Sequence, residues 1–193
     1  MTLVASETAG LRPVGFYYLR HGETDWNRHR IVQGVTDIAL NATGREQALA
    51  AERRLAAREI GTICVSPLAR ARETAAIVNA RLCRPIVVIE ALRECGFGCQ
   101  EGQLVGDWWQ DWRSGLMTPA GAEAYGAFLD RALVAVNEAL AHPGPVLIVG
   151  HGGVYWAVQR HGGLDMSATL ANATPVWHRP PLSPARDWQA EQL

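Results

Sequence analysis

The sequence contains no lysine; all 18 of its basic residues are arginines. That absence excludes Schiff-base chemistry on a lysine amine and leaves guanidinium forks and backbone N–H groups to grip any phosphate. Cysteine is scarce and scattered (Cys64, Cys83, Cys95 and Cys99), so a disulfide scaffold is excluded. The one close pair, Cys95 and Cys99, lacks further histidine or cysteine at ligand spacing, so no metal is expected. No apolar run approaches the ~18 residues of a membrane span. No basic segment followed by an apolar core is present at the N-terminus, so no signal peptide is expected. Charge of one sign is missing too. Against 19 acidic residues the arginines leave a net charge of −1, without the electrostatic footprint of a nucleic-acid binder. The expectation is a cytoplasmic protein, monomer or homodimer, with neither membrane nor nucleic acid as partner.

What is present suffices for a full core. The chain of 193 residues is 48% hydrophobic, which fits one domain over residues 1–193, with 1–14 as a flexible leader. The stretch on which the rest depends is Phe16-Tyr-Tyr-Leu-Arg-His-Gly-Glu-Thr-Asp-Trp-Asn27. Its apolar, aromatic start has the composition of a buried strand. It breaks off at Arg20-His21-Gly22, and ligands of open α/β folds gather at such strand ends. An arginine and an imidazole there suit an anion pocket that holds a nucleophile or base, although an isolated Arg-His pair is more often a plain loop.

The pattern continues as strand and helix in alternation. Thr43-Gly-Arg-Glu46 has the form of a capping box before an amphipathic helix that ends near Gly61. Thr62 to Val65 is a strand, and Ser66-Pro67 would cap the helix that follows, to about Leu82. Arg70 falls in that helix's first turn, where its charge and the helix dipole together favour an anion. Ile86 to Ile89 forms a third strand, followed by an irregular, glycine-rich stretch from Leu92 to Gly102 that carries Glu94 and Glu101. Trp108, Trp109 and Trp112 either roof a pocket or pack a short helix. Tyr125 to Leu140 has the clearest helical spacing. Val146 to Val149 is a buried strand, and Gly150-His151-Gly152-Gly153 after it repeats the strand, histidine, glycine, helix order of the first motif. Asn172 to Leu193 has the look of short strands and a tail.

Taken in order, these motifs are specific. Arg20-His21-Gly22-Glu23-Thr24 with Asn27 resembles the signature of the histidine phosphatase superfamily, in its phosphoglycerate-mutase-like branch. The resemblance runs on through Gln33-Gly34, Asp37, Leu40, Gly44 and Gln47-Ala48. It includes Ser66-Pro-Leu-Ala-Arg-Ala-Arg-Glu-Thr-Ala75, Leu92-Arg-Glu94, Phe97-Gly98, Glu101-Gly102 and Val149-Gly-His-Gly152. It implies a three-layer α/β/α fold with a mostly parallel central sheet. It also implies a metal-independent phosphomonoesterase without cofactor that acts on a small phosphorylated metabolite through a phosphohistidine.

Position by position, the resemblance makes His21 the nucleophile and Glu94 the proton donor, then the base for water. Arg20, Arg70 and His151 would hold the phosphoryl oxygens, with Asn27 assisting and Gln33, Gly34 and Gly152 beside them. By spacing alone, Glu23 and Glu101 compete with Glu94 for the acid role. A free glutamate is almost fully ionised at neutral pH, so donating a proton requires its pKa to rise by ~2. Gly96 and Gln100 stand where relatives carry an acidic residue and a tryptophan. Ala120-Gly121-Ala122-Glu123-Ala124 stands where a Gly-Gly-Glu-Ser stretch is common. The chain also has little room for the insertion that encloses a bisphosphate, which favours a phosphatase over a mutase. A mutase and a catalytically silent phosphate-binding module are the alternatives. Sugar phosphates, α-ribazole phosphate, phosphoserine and nucleotides are all admissible substrates.

Overall fold

In the computed structural model, residues 10–182 and 187–193 are described. Each strand segment read above forms a strand: β1 (Phe16–Arg20), β2 (Thr62–Val65), β3 (Ile86–Val88) and β4 (Val146–Gly150). Two more, β5 (Pro175–Arg179) and β6 (Gln189–Gln192), come from the C-terminal stretch. They join in one sheet of order β3-β2-β4-β1-β5-β6, parallel from β3 to β1 and antiparallel beyond.

The central strands are buried on both faces, which is why they read as unbroken apolar runs rather than alternations. Their period of two divides the core. Phe16, Tyr18, Cys64 and Ile148 face one layer, built by α5 (Tyr125–Ala139) and α6 (Gly152–Gly162). Tyr17, Leu19, Ile63, Leu147 and Val149 face the other, built by α2 (Ala42–Leu55) and α3 (Ala69–Leu82). The result is the expected three-layer α/β/α arrangement. Two short helices complete it: α1 (Asp25–Arg28) follows the first motif, and α4 (Trp108–Ser114) carries the tryptophan cluster.

This topology determines where a ligand can sit. β1 and β4 are neighbours, with Arg20 level with Gly150, and His21 N–H extends the ladder to Gly150 O at 2.9 Å. The chain leaves β1 toward α2 on one face and leaves β4 into α6 on the other. A crevice therefore opens at their carboxyl ends, as at the switch point of any such sheet. Both histidine-glycine motifs lie there.

Local expectations for the bounds of two helices failed, in one of them for a long-range reason. α2 begins before Thr43: Asn41 is its cap, accepting Gly44 N–H at 2.8 Å, while Glu23 holds the Asn41 amide at 2.9 Å. α2 also ends at Leu55, short of Gly61. Ser66-Pro67 does not cap α3, which starts at Ala69 and whose first N–H is taken by Asp37 Oδ1 at 2.7 Å. The Ser66 hydroxyl is engaged elsewhere, as described below. A Thr-x-x-Asn capping box does exist, at Thr24 and Asn27 before α1. At the N-terminal end, Leu11 is buried, and Gly10 and Arg12 exchange backbone bonds with the Asn137 side chain. The chain is thus tied down from Gly10 on, within the stretch read as a flexible leader; the rest of that expectation, residues 1–9, lies outside the described residues.

Candidate active site

The crevice encloses a cavity of about 310 Å³ lined by Arg20, His21, Asn27, Gln33, Gly34, Arg70, Glu94 and Gly152. His151, expected to hold a phosphoryl oxygen, does not line it. The His151 ring is fully buried, with its centroid 5.3 Å from that of His21.

His21 is buried, and its Nδ1 lies 2.7 Å from Gly22 O. A carbonyl only accepts, so Nδ1 carries the proton and the neutral ring keeps its lone pair on Nε2. Burial pushes its pKa well below the ordinary histidine value, and the charges of Arg70 and Arg20 push the same way. The ring is held as a free base.

Arg70 reaches the crevice from the first turn of α3 and is 1% exposed, so it is no solvated surface arginine. Its two terminal nitrogens donate to Thr36 O (2.9 Å) and Gly34 O (2.7 Å). Desolvation pulls its pKa down to about 10, which leaves it charged at neutral pH. Arg20 donates to Leu170 O at 2.9 Å. Each arginine retains a buried Nε without a protein partner, as does Nδ1 of His151. Nε2 of His151 pairs with Ser66 Oγ at 2.6 Å, and burial holds this ring neutral too. Buried donors without partners are rare and costly. In the tautomer whose Nε2 accepts the Ser66 hydroxyl, His151 Nδ1–H joins the two guanidinium Nε–H groups, and the three suit the oxygens of a tetrahedral anion.

The three candidate carboxylates differ in where folding puts them. Glu23 pairs with Arg28 and Asn41, and Glu101 accepts from Val35 N, Thr36 N and Phe97 N, which holds the Gly34 loop in place. Only Glu94 lines the cavity. It accepts from Cys95 N (2.9 Å) and Gly153 N (3.0 Å). Burial raises its pKa, opposed by those bonds and by the charges of Arg70 and Arg20. This close approach depends on Gly153, where an added Cβ would land on the Glu94 carboxylate. Arg131 grips the same turn from α5, donating to Ala91 O, Arg93 O and Glu94 O and pairing with Glu123 at 2.6 Å. Glu123 also accepts Gly96 N–H at 2.8 Å.

Several contributors had no role assigned from the sequence, although Tyr18 and Thr74 lie within the quoted motifs. Asn172 donates to His21 O (2.9 Å) and approaches Asn27 Oδ1 (3.4 Å), fixing which way the Asn27 amide faces. Tyr18 OH bridges the His151 backbone, and Thr74 Oγ1 accepts Gly22 N–H at 3.0 Å. The tryptophan cluster serves both of its proposed ends: Trp112 is fully buried, whereas Trp109 lines the cavity. Among the described residues, no group of three or more histidine, cysteine or acidic side chains is placed to hold a metal, and no helix is long and apolar enough to cross a membrane.

A strand-end crevice with a buried neutral histidine, paired arginines and a buried glutamic acid defines an α/β protein equipped for phosphoryl groups. The chain belongs to the histidine phosphatase superfamily, branch 1, whose family model matches residues 16–178. It is 36% identical over 143 residues to the uncharacterized phosphatase PhoE of Bacillus subtilis, covering 72% of each chain. It is 34% identical over 160 residues to the glucosyl-3-phosphoglycerate phosphatase of Mycolicibacterium vanbaalenii, covering 72% of this chain and 70% of that one. A solved mycobacterial glucosyl-3-phosphoglycerate phosphatase in complex with VO3 superposes with a TM-score of 0.77 at 27% identity, over 92% of this chain and 97% of that one.

Proposed function

We propose that this chain is a metal-independent phosphomonoesterase of the cytoplasm that hydrolyses a small phosphorylated metabolite through a phosphohistidine at His21. The observation that carries the reading is the free Nε2 of a buried, neutral His21 beside two arginines whose Nε groups lack protein partners.

A phosphomonoester dianion repels nucleophiles, and its uncatalysed hydrolysis is among the slowest reactions known. Arg20 and Arg70 neutralise the equatorial oxygens through the loose transition state, and the Nδ1–H of His151 adds a neutral donor. Ser66 gives its hydroxyl hydrogen to His151 Nε2, which selects that tautomer. Each charge-assisted bond contributes ~1.5–3 kcal/mol. Nε2 of His21 forms the N–P bond as the P–O bond to the alcohol breaks, and the departing oxygen takes its electron pair and a proton from Glu94. Glu94, now a carboxylate, removes a proton from water as that water attacks phosphorus. The N–P bond breaks, phosphate leaves, and His21 is neutral again. The approaching dianion adds its own charge to the burial that raises the Glu94 pKa, and both favour the protonated acid. Four free thiols, two of them buried, suit a reducing compartment.

The test is hydrolysis of p-nitrophenyl phosphate in EDTA, with a base quench to trap radiolabelled phosphoryl on the protein. Wild type turns over and carries label at His21; His21→Ala loses turnover by more than about a thousandfold and carries none. Full turnover by His21→Ala would overturn the nucleophile. A mutase would instead leave esters largely unhydrolysed and isomerise 3-phosphoglycerate when primed with the bisphosphate.

A further inference from the structure

The cavity's lining is of two unlike kinds. One comprises the arginines, His21 and Glu94; the other comprises Trp26, Ile31, Phe97, Val105, Trp109 and Trp156. Trp109 meets Trp156 edge-on at 5.3 Å and packs on Phe97 at 5.3 Å, so these aromatic faces brace one another.

Several polar groups of the lining are already occupied. The Tyr155 hydroxyl pairs with His178 Nε2 at 3.0 Å. Gln159 spends both amide hydrogens on Asp165 O and Ala168 O, and Leu170 O accepts from Arg20. What remains is the Gln159 carbonyl oxygen, buried without a partner, the hydroxyl of Thr169, the amide nitrogens of Asn27 and Gln33, and the exposed Arg30. Glu94 is the one carboxylate of the lining. A sugar or polyol would bring several hydroxyls against the aromatic part of this lining, and each one left unpaired carries a desolvation cost. A flat ring would instead bury its faces against the tryptophans.

We infer that the alcohol released by this enzyme carries a flat, largely apolar ring, and that Trp109 and Trp156 select it over sugars and polyols. The inference rests on the phosphomonoesterase reading and adds to it the class of the leaving group.

The experiment compares alkyl phosphates of similar leaving-group acidity, so that chemistry is matched and binding alone differs. Phenethyl phosphate is set against glycerol 3-phosphate, glucose 6-phosphate and O-phosphoserine, and kcat/KM is measured for each. The expected preference for the ring-bearing ester is about thirtyfold or more, and Trp109→Ala should narrow that ratio about tenfold. Equal or better turnover of the polyol, sugar or amino-acid ester by wild type overturns the inference, as does an unchanged ratio in folded Trp109→Ala. If that variant fails to fold, the wild-type panel decides alone. Failure of the underlying reading looks different: no ester is hydrolysed and His21 takes no label.

Discussion

Glu123 touches no part of the cavity, yet replacing it with glutamine should change how the enzyme treats different leaving groups. Glu123 and Arg131 hold the turn that carries Glu94: Arg131 donates to three carbonyls of that turn while paired with Glu123, and Glu123 accepts Gly96 N–H. Their side chains are 28% and 17% exposed, so the pair is partly shielded from water. Glutamine has the same shape but loses the charge, which weakens bonds of ~1.5–3 kcal/mol each to ordinary ones of ~0.5–1.5. Stability should fall by about 1–2 kcal/mol, and the turn should loosen. A misplacement of ~1 Å can cost about a hundredfold in rate. General-acid catalysis as a whole contributes ~10²–10⁴. For an alkyl ester, whose alkoxide cannot leave unprotonated, kcat/KM should fall by about 10–100-fold. For p-nitrophenyl phosphate, whose phenolate leaves without a proton, kcat/KM should stay within about threefold, because it reports the first transfer alone. The alkyl-ester pH profile supplies a second readout. Glu94 must be protonated to act as acid, so activity is lost as pH rises through its pKa. Water entering the loosened turn relieves the burial that raises that pKa, so this limb should move to lower pH. An equal loss on both esters, or no loss on either, would refute the reasoning.

Gly153→Ala places a methyl group on the Glu94 carboxylate and against Phe128. It should cost about 1–3 kcal/mol in urea unfolding and about tenfold or more in alkyl-ester kcat/KM; unchanged values in both would show that Glu94 does not need this approach. His178 is buried, stacked on Phe16 and pushed down to about 4. The unfolded chain gains that proton below ~6.5, so its contribution is whole above that pH and is lost as pH falls toward the folded value, by about 3 kcal/mol in all. Urea unfolding at about pH 7 and pH 4.5 should show a smaller acid loss for His178→Phe than for wild type, and identical losses would refute it. Burial of neutral His21 and His151 acts in the same direction.

Burial on a strand or along a helix leaves its mark every two or every three to four residues, and such periodicity is local. The apolar runs at β1, β2 and β4 and the spacing across α5 therefore make the α/β alternation legible in the chain itself. The motif order around His21, Arg70, Glu94 and His151 marks residues of interest in the same way. Other features depend on distance in space, and no local pattern encodes that. Ser66 lies 85 residues from the His151 ring it orients, and Asn172 lies 151 residues from the His21 carbonyl it holds. Helix α3 is capped by Asp37, 32 residues upstream, rather than by the Ser-Pro at its door. Three glutamates look interchangeable along the chain; only the meeting of α6, through Gly153 N–H, with the turn after β3 buries one of them in the crevice. Composition and periodicity determined which segments are strands and helices. The strand order of the sheet, which puts β1 beside β4 and sends their helices to opposite faces, decided that two distant histidine rings lie buried with centroids 5.3 Å apart at one arginine-lined space. Desolvation and charge proximity, the forces that tune those rings, act only once that space exists.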